Sequence, residues 1–138
     1  MSLLLDTNVV SEIRKGERCH PTVARWWARA RREQSYLSAL VLGEIRQGIE
    51  QIRPRDPAQA QALERWLHGL SEMFRDRVLA VDPPVAEEWG RMNAVRTFPV
   101  VDGLLAATAK VHDLTLVTRD VDDLAGCGAR LLNPFAPE

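Results

Sequence analysis

The chain is short of the residues that make a secreted, zinc-stapled or membrane-spanning protein. It holds two cysteines in 138 residues, Cys19 and Cys127, far apart and in no C-x-x-C pair. That usage excludes a disulfide framework or a thiolate zinc site and fits a reducing compartment, the cytoplasm. The histidines His20, His68 and His112 share neither a helical face nor a ligand spacing, so no imidazole cage is expected. No apolar run approaches the ~20 residues of a membrane span. The start offers only Leu3 to Leu5, not a basic segment followed by ~7–15 apolar residues, and is not read as a secretory signal. There is no linker, repeat or low-complexity tract. Excess charge is missing too, since 18 basic and 19 acidic side chains leave a formal net charge of −1. The molecule as a whole therefore lacks the positive field of a typical nucleic-acid binder, and a polyanion would have to be held locally or through metal ions.

What is present is a composition 46% hydrophobic and 27% charged, enough for one core and one domain over residues 1–138. Strand and helix signals alternate along it. Leu3 to Leu5 reads as a buried strand, and Asp6-Thr7-Asn8 as a turn capping a short helix that ends near Gly16. His20-Pro21 opens a second helix with Val23, Trp26, Trp27 and Ala30 on one face. Ser35 to Leu37 is a short strand, and Ser38 caps a helix to Ile52 with Val41, Ile45, Ile49 and Ile52 on one stripe. Asp56-Pro57 begins the longest helix, striped by Leu63, Trp66, Leu67, Leu70 and Phe74. Val78 to Val81 reads as a strand, and Asp82-Pro83-Pro84 as the start of a helix carrying Val85, Trp89 and Met92. Val100 to His112 has so few polar positions that it is expected to be buried nearly all round. Thr115 to Thr118 and Leu131-Leu132 supply the last strands. Short strands separated by helices predict a three-layer α/β/α domain with a central, mostly parallel sheet of four to five strands. In such folds ligands bind beyond the carboxyl ends of the strands.

Aspartates stand at those ends. Asp6 follows the first strand and Asp120 the fourth, while Glu44 and Asp102 interrupt otherwise apolar helices. Each also has a plain structural explanation: Asp6 as a helix cap, Glu44 as a partner of Arg46, Asp102 as an anion at a helix start, Asp120 as part of a solvated acidic turn. Asp82, before Pro-Pro, is read as a cap and set aside. If Asp6, Glu44, Asp102 and Asp120 converge, their mutual repulsion calls for a counter-ion, and all-oxygen ligation suits Mg²⁺ or Mn²⁺. Gly48 and Gly103 remove bulk beside Glu44 and Asp102, as if something passes close. Thr7 and Thr118 stand where they would either orient carboxylates or merely form turns. Arg25, Arg29 and Arg32 share a side of the second helix and would either track an RNA backbone or face solvent.

Leu5-Asp6-Thr7-Asn8-Val9, Gly43-Glu44-Ile45, Val101-Asp102-Gly103 and Thr118-Arg119-Asp120, in that order across the chain, resemble a PIN domain. The Asp102 to Ala109 helix and the closing Asn133-Pro134-Phe135 resemble more narrowly the VapC/FitB-type toxins of bacterial toxin–antitoxin pairs. The resemblance implies a Mg²⁺- or Mn²⁺-dependent ribonuclease in which Asp6, Glu44, Asp102 and Asp120 match the acidic quartet, with Asp6 and Asp102 the principal metal ligands. Many members carry asparagine in place of Asp120 and an aspartate three residues on, here Asp123, so the fourth acid is Asp120 or else Asp123. The resemblance also implies RNA as substrate, a homodimer and inhibition by a VapB-like antitoxin. The stripe Leu63, Trp66, Leu67, Leu70 and Phe74, together with Trp89 and Met92, exceeds what one small sheet needs, so part of it is either a docking groove or core.

Two Mg²⁺-using rivals also place an aspartate after a first strand. A haloacid-dehalogenase-like phosphatase needs a second aspartate two positions on, where this chain has Asn8. A receiver-like signalling domain needs a lysine after a late strand, whereas Lys110 falls within a helix. An inactive binding module would have lost part of the quartet.

Overall fold

The computed structural model describes residues 1–137. Five strands, β1 (Ser2–Leu5), β2 (Gln34–Ser38), β3 (Val78–Leu79), β4 (Thr115–Val117) and β5 (Arg130–Leu132), form one sheet in the order β3-β2-β1-β4-β5. Every pairing is parallel, in a register that sets Leu4 opposite Tyr36 on one side and Leu116 on the other. The central strand β1 is almost wholly apolar because helices cover both faces, and Leu3 and Leu4 are fully buried. The helices are α1 (Thr7–Ile13), α2 (Pro21–Ala30), α3 (Ala39–Ile52), α4 (Pro57–Met73), α5 (Pro83–Val95) and α6 (Val100–His112). This is the expected three-layer α/β/α arrangement. Among the described residues no helix is long and apolar enough to cross a membrane.

Side-chain caps start most helices. Ser38 accepts from the amide of Leu40, Asp56 from Gln59 and Asp82 from Val85, each relieving an orphan helix donor. Asp82 is thus a cap, as expected, and Asp82→Ala should lower stability in urea unfolding by about 1 kcal/mol while leaving divalent-metal affinity unchanged. The α4 stripe is divided: Leu67, Leu70 and Phe74 are buried, whereas Leu63 and Trp66 are half-buried against the core.

The structure departs from the sequence pattern in several places. The first helix stops at Ile13 and a 3₁₀ turn, Gly16–Arg18, follows, because Gly16 takes a left-handed φ of 60° that an α-helix cannot continue. The second helix ends at Ala30, so Arg32 lies beyond it and Arg25, Arg29 and Arg32 do not share one helical face. Strand β3 stops at Leu79. It is an edge strand, and the chain must turn at once into the Asp82 cap. In α6 burial is confined to the middle, and Val100, Val111 and His112 are exposed.

Candidate active site

The strand order makes the site. β1 lies between β2 and β4, so the segments leaving their carboxyl ends, α1, α3 and the 118–120 loop, emerge side by side, and the first turn of α6 joins them. Asp6, Asp102 and Asp120 each present a carboxylate oxygen there, all within 4.8 Å of one another. Glu44 lines the same cavity of about 400 Å³, together with Thr7, Asn8, Gln47, Gly48 and Gln51. No basic side chain lines it.

Asp6 is only 4% exposed and is fixed from both sides. Its Oδ1 accepts from the Thr7 amide at 2.7 Å, and its Oδ2 accepts from Thr118 Oγ1 at 2.7 Å. Burial pushes its carboxyl above the ordinary range; the Thr118 and Thr7 bonds pull against that, and the charges of Asp120 and Glu44 add to it. Thr118, fully buried, also accepts from the Asp120 amide at 3.0 Å. One hydroxyl therefore sets the position of two acids. Thr7 Oγ1 donates to Glu44 Oε1 at 2.6 Å, so both threonines orient carboxylates in addition to shaping turns.

Asp102 differs. No N–H or alcohol hydroxyl among the described residues donates to its carboxylate, and the charges that act on it are those of other acids. Its pKa is pushed up to about 7, first by burial, then by the charges of Asp120 and Asp6, by a hydrogen bond shared with Asp120, and by the charge of Asp123. An acid placed among acids with no compensating donor contributes nothing to folding. Asp123 adds field but is not in the three-oxygen cluster; its side chain is exposed and its carbonyl accepts from Arg96 at 2.6 Å.

Glu44 does not pair with Arg46, which bonds Glu50 and lies near Glu64 instead. Gly48 has open space where a Cβ would stand, as a cavity wall should, but at Gly103 that space is taken by Trp89 and Phe98 at 3.3–3.4 Å. The close approach at Gly103 is therefore the protein's own packing. None of Arg25, Arg29 and Arg32 lines the acidic cavity. Gln47 and Gln51 escape a search for charged groups, although their spacing of three and seven residues from Glu44 puts them on its helix face. Asn8, in sequence only the aspartate that a phosphatase would need and this chain lacks, ties the two loops together, its Oδ1 accepting from the Arg119 amide at 3.3 Å. A larger hollow of about 720 Å³, lined by Leu42, Arg46, Leu67 and His68 among others, lies between α3 and α4. It holds no cluster of acids, so chemistry rather than size selects the site.

Oxygen donors alone, three of them carboxylates within 4.8 Å of one another with no lysine or arginine among the described residues lining the cavity, fit a hard divalent cation and neither zinc nor copper. Comparison with known proteins agrees with that chemistry. A family model described as PIN domain matches residues 3–125. The chain is 31% identical to the toxin FitB of Neisseria gonorrhoeae, over 96% of this chain and 98% of FitB. It is 29% identical to the VapC ribonuclease Y4jK of Sinorhizobium fredii, over 98% of this chain and 99% of that protein. The crystal structure of FitAcB from Neisseria gonorrhoeae matches with a TM-score of 0.87 at 30% identity, covering 98% of this chain and 99% of that one.

Proposed function

The chain belongs to the PIN-domain family, and from that premise we propose that it is a metal-dependent ribonuclease toxin. In this reading residues 1–138 form one domain that hydrolyses RNA phosphodiester bonds in the cytoplasm, works as a homodimer and is silenced by a VapB-like antitoxin. The observation that carries it is the meeting of Asp6, Asp102 and Asp120 within 4.8 Å, with Glu44 on the same cavity. The names of the relatives support it, one a toxin and one a VapC ribonuclease.

Asp6, Asp102 and Asp120 would hold the metal, Mg²⁺ or Mn²⁺, and Glu44 would complete the quartet. A bound divalent cation supplies a water made nucleophilic near neutral pH, a clamp on the non-bridging oxygens and a counter-charge for the leaving alkoxide. The chain's own residues do the rest. Thr118 and Thr7 hold Asp6 and Glu44 in fixed rotamers, so that the site is pre-formed. Glu44 or Asp120, both lining the cavity, would accept the proton of the attacking water. The phosphatase reading still wants an aspartate where Asn8 stands, and the receiver reading a lysine after a late strand, whereas Lys110 lies within α6.

The test is direct. Purified protein incubated with RNA should cleave it in Mg²⁺ or Mn²⁺ and leave it whole in EDTA, and adding the antitoxin should stop cleavage. RNA left intact under every metal condition would sink the reading. A phosphatase would instead release phosphate from a small ester under the same conditions.

A further inference from the structure

An acidic cavity repels the RNA it is meant to cut, so cations must bring the phosphates to it. Four arginines in the structure lie on aromatic rings, and they divide into two kinds. Arg77, over Phe74, gives its N–H groups to the carbonyls of Ser35 and Met73, and Arg96, over Phe98, to those of Ala125 and Asp123. Their donors are used within the fold. Arg14 lies 5.4 Å over Trp66 and Arg119 3.9 Å over Phe135. Neither guanidinium has a carbonyl or carboxylate acceptor among the described residues, and both residues are exposed. Stacking engages only the π-face of a guanidinium and leaves its in-plane N–H edge open, the edge that binds a phosphate through two bonds.

Neither lines the acidic cavity itself, but each stands next to residues that do. Arg14 and Trp66 line a neighbouring hollow of about 370 Å³ that shares Thr7, Glu44 and Gly48 with it. Arg119 stands at the end of β4, between Thr118 and Asp120, with its amide on Asn8. Phe135 is itself braced edge-on by His20 at 5.7 Å, so the ring beneath Arg119 is fixed. Glu12, which feels the charge of Arg119, is already bonded by Lys15 and the His20 amide.

We propose that Arg14 and Arg119, each aimed by the ring beneath it, are the positioning residues that hold the RNA phosphates on either side of the scissile linkage. The strand then runs across the cavity from the α1–α4 side to the β4 side. This inference rests on the ribonuclease reading.

The experiment measures RNA cleavage and RNA binding as functions of salt in wild type, Arg14→Ala, Arg119→Ala and Arg119→Lys, with Arg75→Ala as a control. Arg75 precedes β3 and so lies at the far edge of the sheet. Binding is read in an Asp102→Asn background, where cleavage is not expected to intervene. Each alanine should raise KM and Kd about tenfold with kcat changed less than about threefold, and should lower the slope of log Kd against log salt by about 0.7. Arg119→Lys should restore the slope and only part of the affinity, because lysine keeps the charge but not the stack or the fork. If wild type cleaves RNA and both alanine variants match Arg75→Ala in KM, Kd and slope, or lose kcat alone, the assignment is wrong. If wild type cleaves no RNA, the ribonuclease reading itself has failed.

Discussion

Asp102→Asn should lose at least about a hundredfold in metal-dependent RNA cleavage while folding normally. Changes one shell away from a metal typically cost about 10–100-fold, so removing a ligand itself should cost no less. The fold survives because of the bonding pattern. Asp102 takes no bond from any described N–H or alcohol hydroxyl, its hydrogen bond being the one shared with Asp120, and it sits beside Asp6 and Asp120; asparagine removes repulsion, and its amide N–H can still donate to Asp120. Asp6→Asn should be as damaging to activity but less clean, because Asp6 also anchors the Thr7 amide and the Thr118 hydroxyl. The measurement is kcat/KM on RNA beside far-ultraviolet circular dichroism and Mn²⁺ binding by calorimetry. Wild-type cleavage by Asp102→Asn would remove Asp102 from the mechanism.

The same variant should be more heat-stable than wild type at neutral pH without metal, and the gain should disappear in acid. The sign follows from the proton count. Asp102 titrates near 3.8 in the unfolded chain and about 7 when folded, so between those values the folded state binds the extra proton. Metal-free stability is then greatest on the acid side and falls as pH rises from about 4 to 7. Asp6, also raised, acts in the same direction. Glu12, Glu64 and Glu88 are lowered from 4.5 and Glu50 is held at about 2, so their stabilisation is lost as pH falls below about 4.5, and the Asp102 effect is read above that. Solvent in the open cavity screens the penalty, which we place at about 1–2 kcal/mol above pH 7, or a Tm gain of about 3–8 °C for Asp102→Asn. Calorimetry at pH 5 and pH 7.5 in EDTA checks it. Saturating Mg²⁺ should erase the wild-type slope, since a cation replaces the proton. A slope equal in both proteins would mean that Asp102 is not the strained acid.

Much of the fold is legible in the sequence because its signals are local. Ser38, Asp56 and Asp82 announce helix starts by cap chemistry alone, and Leu3 to Leu5 announce a strand buried on both faces by having no polar alternation. That Asp6 and Asp120 share an edge follows from the rule that parallel strands end together. What is not legible is which neighbour takes up each open valence. Glu44 finds Thr7 across 37 residues rather than Arg46 two positions away, and Gly103 admits Trp89 and not a ligand. Buried Glu12, which organises the turn before α2 through Lys15 and His20, carries no mark in the sequence that separates it from any exposed glutamate. The arginine stacks on Trp66 and Phe135 depend on ring positions set by tertiary packing, which no local signal in the sequence announces.

The acids that meet at the cavity come from positions 6, 44, 102 and 120, and β4, which aims the last of them, slots between β1 and β5 only after most of the chain is made. A polypeptide still on the ribosome, or cut short before residue 118, has no place to assemble the cluster. The acidic cluster is therefore a property of the nearly finished chain, and a fragment that ends before β4 carries three of its acids without the strand that brings in the fourth.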